Sequence, residues 1–521
     1  MLWRSGRPAR SGVALGALTL LMLTTEAHAD PLPPWAPPPA NACGEVGFDP
    51  ILRQPKPGAL PGPPPPIVLT PPYPTIVPVR VPGPPESRER IAQAPLPPLC
   101  VNPCPEIAGG HVNAQPTPPE VPGPPQATPP VQLPKIEFAP QEEPIPLPVT
   151  LLPPINMFPK QPAPEPVHPT VQPGRVSPAP PAPAVRTVDT VSQLTGPGSQ
   201  NRTDFRWQVL GTDLGLMWES KPGQVAVMFG DTFGGGWQPG RPPPKTADWR
   251  SNVLAFSSDR KLDDGMSFDG MVLDRPCHAA ELLGSAKLRN WETTTIPTSG
   301  FALGNRQYVS YMSIRRWSYV PGMWYTNYGG IAYSDDGGQT WVKSDHARWG
   351  DLFGFGQFQV STMVPHKDGY VYMFGTPNGR IGKIGLARVP KSQVLNKSAY
   401  QYWRDGQWIP TAQVHLLPWS PAGQLAASPI LDSVSGELSV RYDNASDMWQ
   451  LVHLDPLRGA VTLRNSKSPQ GNWSEGATLV DTARYPKSYG GFIHPWSTAK
   501  DLYFTISEWD PYNVFLMHAV F

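Results

Sequence analysis

Short apolar runs with a polar or glycine lead recur five times in the second half of the chain. They are QVAVMF at 224–229, QYVSYM at 307–312, GYVYMF at 369–374, ELSVRY at 437–442 and DLYFTI at 501–506. Their centres are spaced by about 82, 63, 68 and 64 residues. β-Branched and aromatic residues fill them, and helical periodicity over a useful length is scarce. Turn pairs separate them: Asp368-Gly369, Asp405-Gly406, Ser435-Gly436 and the triplet Asp336-Gly337-Gly338. This predicts an all-β chain, a five-bladed β-propeller with extended loops in each blade. A β-sandwich would show turn signals roughly every 8–12 residues without this longer period.

About 14 residues before each run lies a second apolar or aromatic segment: near Asp213, then at 291–296, 356–360, 426–430 and 489–494. In a propeller the innermost strand comes first and faces the channel, so these five segments should meet around one axis. Their polar residues are the candidate site: Asp213, Glu292, Gln357, Gln359, Ser428 and His494. A local motif supports the blades. Residues 334–341, SDDGGQTW, match the Asp-box pattern, in which Ser and Asp close a hairpin turn and Trp packs between sheets. Residues 466–473 form a second, less regular turn of this kind.

The first part of the chain is different. Residues 1–29 read as a signal peptide, with Arg4, Arg7 and Arg10, an apolar run at 12–23, and Ala27-His28-Ala29 before Asp30. That run is too short to span a bilayer, so no stable membrane insertion is expected after cleavage. The mature protein should then be secreted, in the cell wall or the periplasmic space. Of the chain's 73 prolines, 51 fall between Pro31 and Thr190. Such a composition favours solvated polyproline II, so 30–190 is expected to be a disordered spacer, with cell-wall association as a sharper role. The propeller is expected at 195–521, which holds 16 of the 18 tryptophans. A net charge of +1 gives no sign of a nucleic-acid partner. Cys43, Cys100, Cys104 and Cys277 suit an oxidising compartment. Cys277 could be free and buried or tie the tail to the domain, and the pairing stays open.

The chemistry concentrates in two aspartates. Asp213 lies between glycines in Gly211-Thr212-Asp213-Leu214-Gly215. Asp231 follows a buried-strand pattern and Gly230. Two carboxylates at strand ends facing one pocket suit glycoside cleavage, in which one protonates the leaving oxygen and the other activates water or attacks carbon. In one assignment Asp231 is the acid and Asp213 the base, but the order stays open. Asp beside Gly also makes ordinary turns. Glu292 and Glu508 are rival acids. Trp317, Tyr319, Trp324, Tyr325 and Tyr328 crowd a stretch with Pro321, Gly322, Gly329 and Gly330, and read as an exposed sugar-stacking loop. His366, His415 and His453 lack ligand spacing and read as structural. There is no phosphate loop, nucleophile elbow or zinc signature, so no cofactor and no metal are expected.

Four motifs together resemble a known family: Gly211-Thr212-Asp213-Leu214-Gly215, Phe229-Gly230-Asp231-Thr232-Phe233, Arg250-Ser251-Asn252 and Tyr512-Asn513-Val514. They are similar to glycoside hydrolase family 183, the endo-D-arabinanases. The resemblance covers about 200–521. It implies a five-bladed propeller and endo-cleavage of D-arabinofuranan in mycobacterial arabinogalactan or lipoarabinomannan. It also implies Asp213 and Asp231 as the catalytic pair, with inversion. Asn252, Glu292, Gln357, Gln359, Tyr489, His494 and Asn513 are then the expected substrate contacts. Two alternatives stand beside it. One is a non-catalytic carbohydrate-binding propeller tethered in the wall. The other is a sialidase-like hydrolase in which Arg250, Arg315 and Arg441 converge on a sugar carboxylate.

Overall fold

The computed structural model describes residues 161–239, 246–318, 322–351, 356–411 and 427–521, with the backbone of Thr75–Arg80 and Gln132–Glu137, which pair antiparallel. Tyr319, Pro321, His415 and Cys43, Cys100 and Cys104 lie outside the described residues.

The fold is a five-bladed β-propeller of antiparallel meanders. From the axis outward, the first blade is Leu214–Lys221, Gln224–Phe229, Val253–Ser257 and Gly270–Met271. The second is Thr294–Leu303, Arg306–Trp317, Trp324–Ser334 and Val342–Gly350. The third begins with Val360–Pro365, Tyr370–Thr376 and Gly385–Pro390 and is widened by Gln401–Arg404 and Gln407–Pro410. The fourth is Leu438–Asp443, Met448–Asp455, Ala460–Ser466 and Ala477–Asp481. The fifth is Ser488–Ile493, Asp501–Glu508, Asn513–Val520 and Thr187–Gln193. Each of the five innermost strands touches the next, and the last touches the first.

The uninterrupted apolar pattern of Gln224–Phe229 has a direct cause. Val225, Val227 and Phe229 enter the core on one side of the blade, while Ala226 and Met228 enter the core on the other. A strand buried on both faces has no polar side to show. In Tyr370–Thr376, Val371 and Met373 likewise divide from Tyr372 and Phe374.

Four of the five repeated runs are second strands. The fourth is not: 437–442 belongs to the innermost strand of its blade, so 426–430 is no inner strand. There Ser428 bonds the backbone of Trp403 and the Asp405 carboxylate instead. The Asp box closes the turn between the third and fourth strands of blade two. Ser334 Oγ donates to Asp336, Asp336 accepts from the Thr340 amide, and Trp341 meets Trp218 edge to face. The turn at 466–473 takes the same position in blade four, with Trp473 against Phe374.

The propeller does not begin at 195. Thr187–Gln193 is the outer strand of the last blade, paired with Asn513–Val520, so the two ends of the domain close one sheet. The tail before it runs along the outer edges of the blades in turn. Gln161 O meets His346 in blade two, and Glu165 O accepts from Asn396 in blade three. Gln172–Pro173 pairs with Gln407 and Trp408, and Ser177 O accepts from the Asn472 amide in blade four. Proline supplies no N–H but leaves its chain's carbonyls open, and this strap mainly accepts. Cys277 is disulfide-bonded, so it is not a free thiol. Among the described residues, no helix is long and apolar enough to cross a membrane.

Closure predicts a truncation series, measured by thermal unfolding with Cys277→Ser throughout. A chain starting at 161 should melt within about 2 °C of one starting at 30, and one starting at 187 should melt lower. One starting at 195 leaves the Asn513–Val520 edge unpaired and should aggregate or lose cooperative unfolding.

Candidate active site

The innermost strands all start at the same face of the ring. One cavity there is lined from every blade: Asp213, Leu214 and Asp231; Ile296, Met312, Trp317 and Trp324; Arg380; Glu437; Tyr489 and Trp509. The placement follows a rule. Asp213, Glu437 and Tyr489 stand at or just before the start of an inner strand, and Asp231, Arg380 and Trp509 follow the end of a second strand.

Backbone geometry aims Asp213 at the axis. Leu214 has φ +68° and Gly215 +72°, so the chain kinks directly after the acid, and the pairing register slips there. The kink is held by the Leu214 amide, which donates to Ser507 Oγ at 2.8 Å, and by Thr505 Oγ1, which donates to Gly215 O at 2.9 Å. Gly230 leaves the space beside it. A Cβ at that position would lie 2.3 Å from Asp213 Oδ1.

The two carboxylates have different partners. Asp213 Oδ2 accepts from Tyr489 Oη at 2.9 Å, while the buried Oδ1 has no hydrogen bond. Burial, and then the charge of Asp231, push its pKa well above the ordinary value, and Glu437 adds to this against Tyr489 and Arg380. Asp231 Oδ1 accepts twice, from Thr294 Oγ1 at 2.6 Å and from Trp249 Nε1 at 2.9 Å. Lys287 sits over the Trp249 ring at 3.9 Å and pairs with Glu281 at 2.7 Å. Burial raises Asp231 to about 6, with Lys287, Thr294 and Trp249 restraining the rise.

Of the expected contacts, Tyr489 joins the aspartates, and the others are committed elsewhere. Asn252 is fully buried. It donates to Leu283 O and Thr295 O and accepts from the amides of Leu282 and Leu283, pinning a loop to blade two. Asn513 accepts from Thr195 Oγ1 and donates to Pro511 O at the seam where the ring closes. Gln359 holds Trp349 O and Thr326, and Gln357 reaches Ala427 O. Glu292 is taken by Ser313, the Ala286 amide and Lys343. His494 follows the far end of its inner strand, buried, with its pKa lowered to about 3 mainly by burial.

Glu508 does not line the cavity; Trp509 does. The residues at 317 and 324 are strand residues, not an exposed loop, and Trp324 is buried. Arg250, Arg315 and Arg441 do not converge. Arg250 binds Asp248 and Ala279 O, Arg315 binds Asn290 O, and Arg441 binds Gln450 and Ser497 O. Among the described residues no cluster of three or more His, Cys, Asp or Glu is placed to hold a metal.

Sequence reasoning missed Glu437 and Arg380. Arg380 Nη2 and Nε reach Glu437 Oε1 at 2.6 and 3.0 Å. The available signal was Glu437's place immediately ahead of an inner strand, the same place as Asp213.

Two stability outcomes follow. The rise of Asp231 from 3.8 to about 6 means the folded state binds more protons between those values. Stability should therefore fall as pH rises from about 4 to about 6, by on the order of 3 kcal/mol from this group. Asp231→Asn should unfold at higher urea than wild type at pH 7, and the difference should vanish near pH 4. Asn252→Ala leaves four backbone groups unpaired and should cost about 2–4 kcal/mol in urea unfolding at every pH.

Comparison with known proteins places the chain as follows. A family described as a domain of unknown function (DUF4185) matches residues 198–518. The Notoamide biosynthesis cluster protein J' of Aspergillus versicolor is 31% identical over 351 residues, covering 63% of this chain and 88% of that protein. An uncharacterized 35.9 kDa protein of Mycolicibacterium smegmatis is 27% identical over 193 residues, covering 33% of this chain and 56% of that one. Among solved structures, the catalytic domain of a Coprinopsis cinerea α-L-arabinofuranosidase superposes with a TM-score of 0.36 at 13% identity, covering 65% of this chain and 98% of that one.

Proposed function

The chain belongs to the DUF4185 family, and we propose that it is an exported glycoside hydrolase that cleaves D-arabinofuranan internally. The observation that carries this is the cavity at the ring's axis, which holds the buried Asp231 and the half-buried Asp213 with different hydrogen-bond donors and is lined by three tryptophans. Acid–base cleavage needs one carboxyl that keeps its proton and one that loses it. The resemblance to the endo-D-arabinanases supplies the substrate. The signal-like residues 1–29 and the disulfide at Cys277 support export, with the proline-rich region associated with the wall.

The partners support one assignment of roles. Asp213, bonded to Tyr489, beside the Tyr512 hydroxyl and with anionic neighbours, retains its proton and gives it to the leaving glycosidic oxygen. Asp231, with two donors on one oxygen and Lys287 beyond Trp249, is the anion at neutral pH. It takes a proton from water as the water oxygen bonds to the anomeric carbon and the carbon–oxygen bond breaks. The net reaction consumes one water and inverts the anomeric centre. Exchange with solvent restores both groups. Trp317, Trp324 and Trp509 line the cavity and give it the aromatic surface on which sugar C–H groups pack.

The test is chromatography of products from mycobacterial arabinogalactan incubated with the full chain. Oligosaccharides of intermediate length should appear. Asp213→Asn and Asp231→Asn should each lower the rate by about 10²–10⁴-fold. The rate should climb as pH rises through about 6, where Asp231 ionises, and decline at higher pH as Asp213 gives up its proton. Binding of the polymer without any product from wild type would leave a non-catalytic carbohydrate-binding propeller.

A further inference from the structure

We infer that Glu437 and Arg380 form the sugar-recognition half of the same cavity and select a neutral ring with free hydroxyls. This rests on the carbohydrate reading above and goes beyond it in assigning the residues that choose the sugar.

The two residues occupy the positions in blades four and three that the acid pair occupies in blade one. Glu437 precedes Leu438–Asp443 as Asp213 precedes Leu214–Lys221, and Arg380 comes after Tyr370–Thr376 as Asp231 comes after Gln224–Phe229. Ring geometry therefore presents all four to one space, and all four line it.

The ion pair is lopsided. A guanidinium fork usually spreads over both oxygens of a carboxylate. Here both Arg380 bonds fall on Glu437 Oε1, and Oε2 is buried with no hydrogen bond. An anionic oxygen without a donor in a dry wall is unfavourable, and a hydroxyl from a ligand in the cavity would satisfy it. The wall carries a complementary group: Trp324 Nε1 is buried without an acceptor. One side can thus accept from a sugar hydroxyl and another can donate to one.

Arg380 cannot serve as a free anion receptor. Its guanidinium lies 5.0 Å from the Tyr489 ring and 6.0 Å from the Trp324 ring, and Glu437 neutralises its charge. A uronate entering the cavity would meet the Asp231 anion, with only this one, already paired, lining cation. Neutral sugars are admitted, and acidic ones are repelled.

The experiment is a binding titration followed by tryptophan fluorescence, using full-length Asp231→Asn so that no turnover intervenes. The probes are a D-arabinofuranosyl oligosaccharide, its O-methylated form and a hexuronate oligosaccharide. Adding Glu437→Gln, which keeps the shape and an acceptor for Arg380 but turns an N–H₂ toward the cavity, should weaken the neutral ligand about 10–100-fold. Trp324→Phe, which keeps a ring but loses the donor, should weaken it several-fold and guards against a folding defect in the first variant. The methylated ligand should bind weakly and equally to Asp231→Asn with or without Glu437→Gln, and the hexuronate should not bind full-length Asp213→Asn, which also blocks turnover but keeps the Asp231 anion. Equal affinity for the free-hydroxyl ligand with and without Glu437→Gln overturns the inference, as does tight hexuronate binding to Asp213→Asn. Neutral-ligand binding that depends on Glu437, in a chain whose wild type releases no products, would sustain this inference and remove only the hydrolase.

Discussion

Closure of the ring is the constraint on which the site depends. The last sheet is finished by Thr187–Gln193, from the other end of the domain, lying along Asn513–Val520. Only a closed ring forces five inner strands to start at one face around one axis. That is how Asp213 meets Tyr489, 276 residues away in sequence. Thr195 and Asn513 lock the same seam from the side. The asparagine is buried there because an unpaired amide at the closing edge would be costly.

Placing two carboxylates in one wall, Asp231 buried and Asp213 half-buried, opposes folding, and the surroundings show how it is tolerated. Trp249 and Thr294 satisfy one oxygen of Asp231, and the Lys287–Glu281 pair lies behind Trp249. Asp213 accepts from Tyr489, and burial with the Asp231 charge raises its proton affinity. Burial raises both, and the neighbouring groups then differ: Asp231 acts on Asp213, while Lys287, Thr294 and Trp249 restrain Asp231. The opposite wall repeats the theme with Glu437, whose second oxygen has no donor. Leu214, Ile296 and Met312 supply the apolar lining that makes each of these differences matter.

The proline-rich region is more than a leader for the domain. From residue 161 it lies against blades two, three and four before becoming a strand of blade five. Its carbonyls accept from His346, Asn396 and the Asn472 amide. A chain without N–H groups at every few positions cannot join a sheet from both sides, but it can serve as an edge acceptor. A composition that argues against a packed core is therefore compatible with an ordered strap.

The repeat of apolar runs determined the all-β class and the number of blades, because a strand buried on both faces must be apolar throughout, and Val225 to Phe229 show this. The glycines around Asp213 and Asp231 marked the acids, since a carboxylate turned toward an axis needs a kink and room, as φ at Leu214 and the crowding at Gly230 show. Sequence could not tell a polar residue facing the channel from one consumed beside it. Asn252, Gln359 and Asn513 have the right chemistry, but their side-chain amides are engaged by backbone and side chains, several of them distant in sequence. Nor could it place Glu437, because one run in five was an inner strand rather than a second strand, and that shift of one strand decides whether its leading acid meets the cavity. Strand identity is local and legible in the order of residues. Which side chain remains available for a ligand depends on long-range pairing, and only the closed ring decides it.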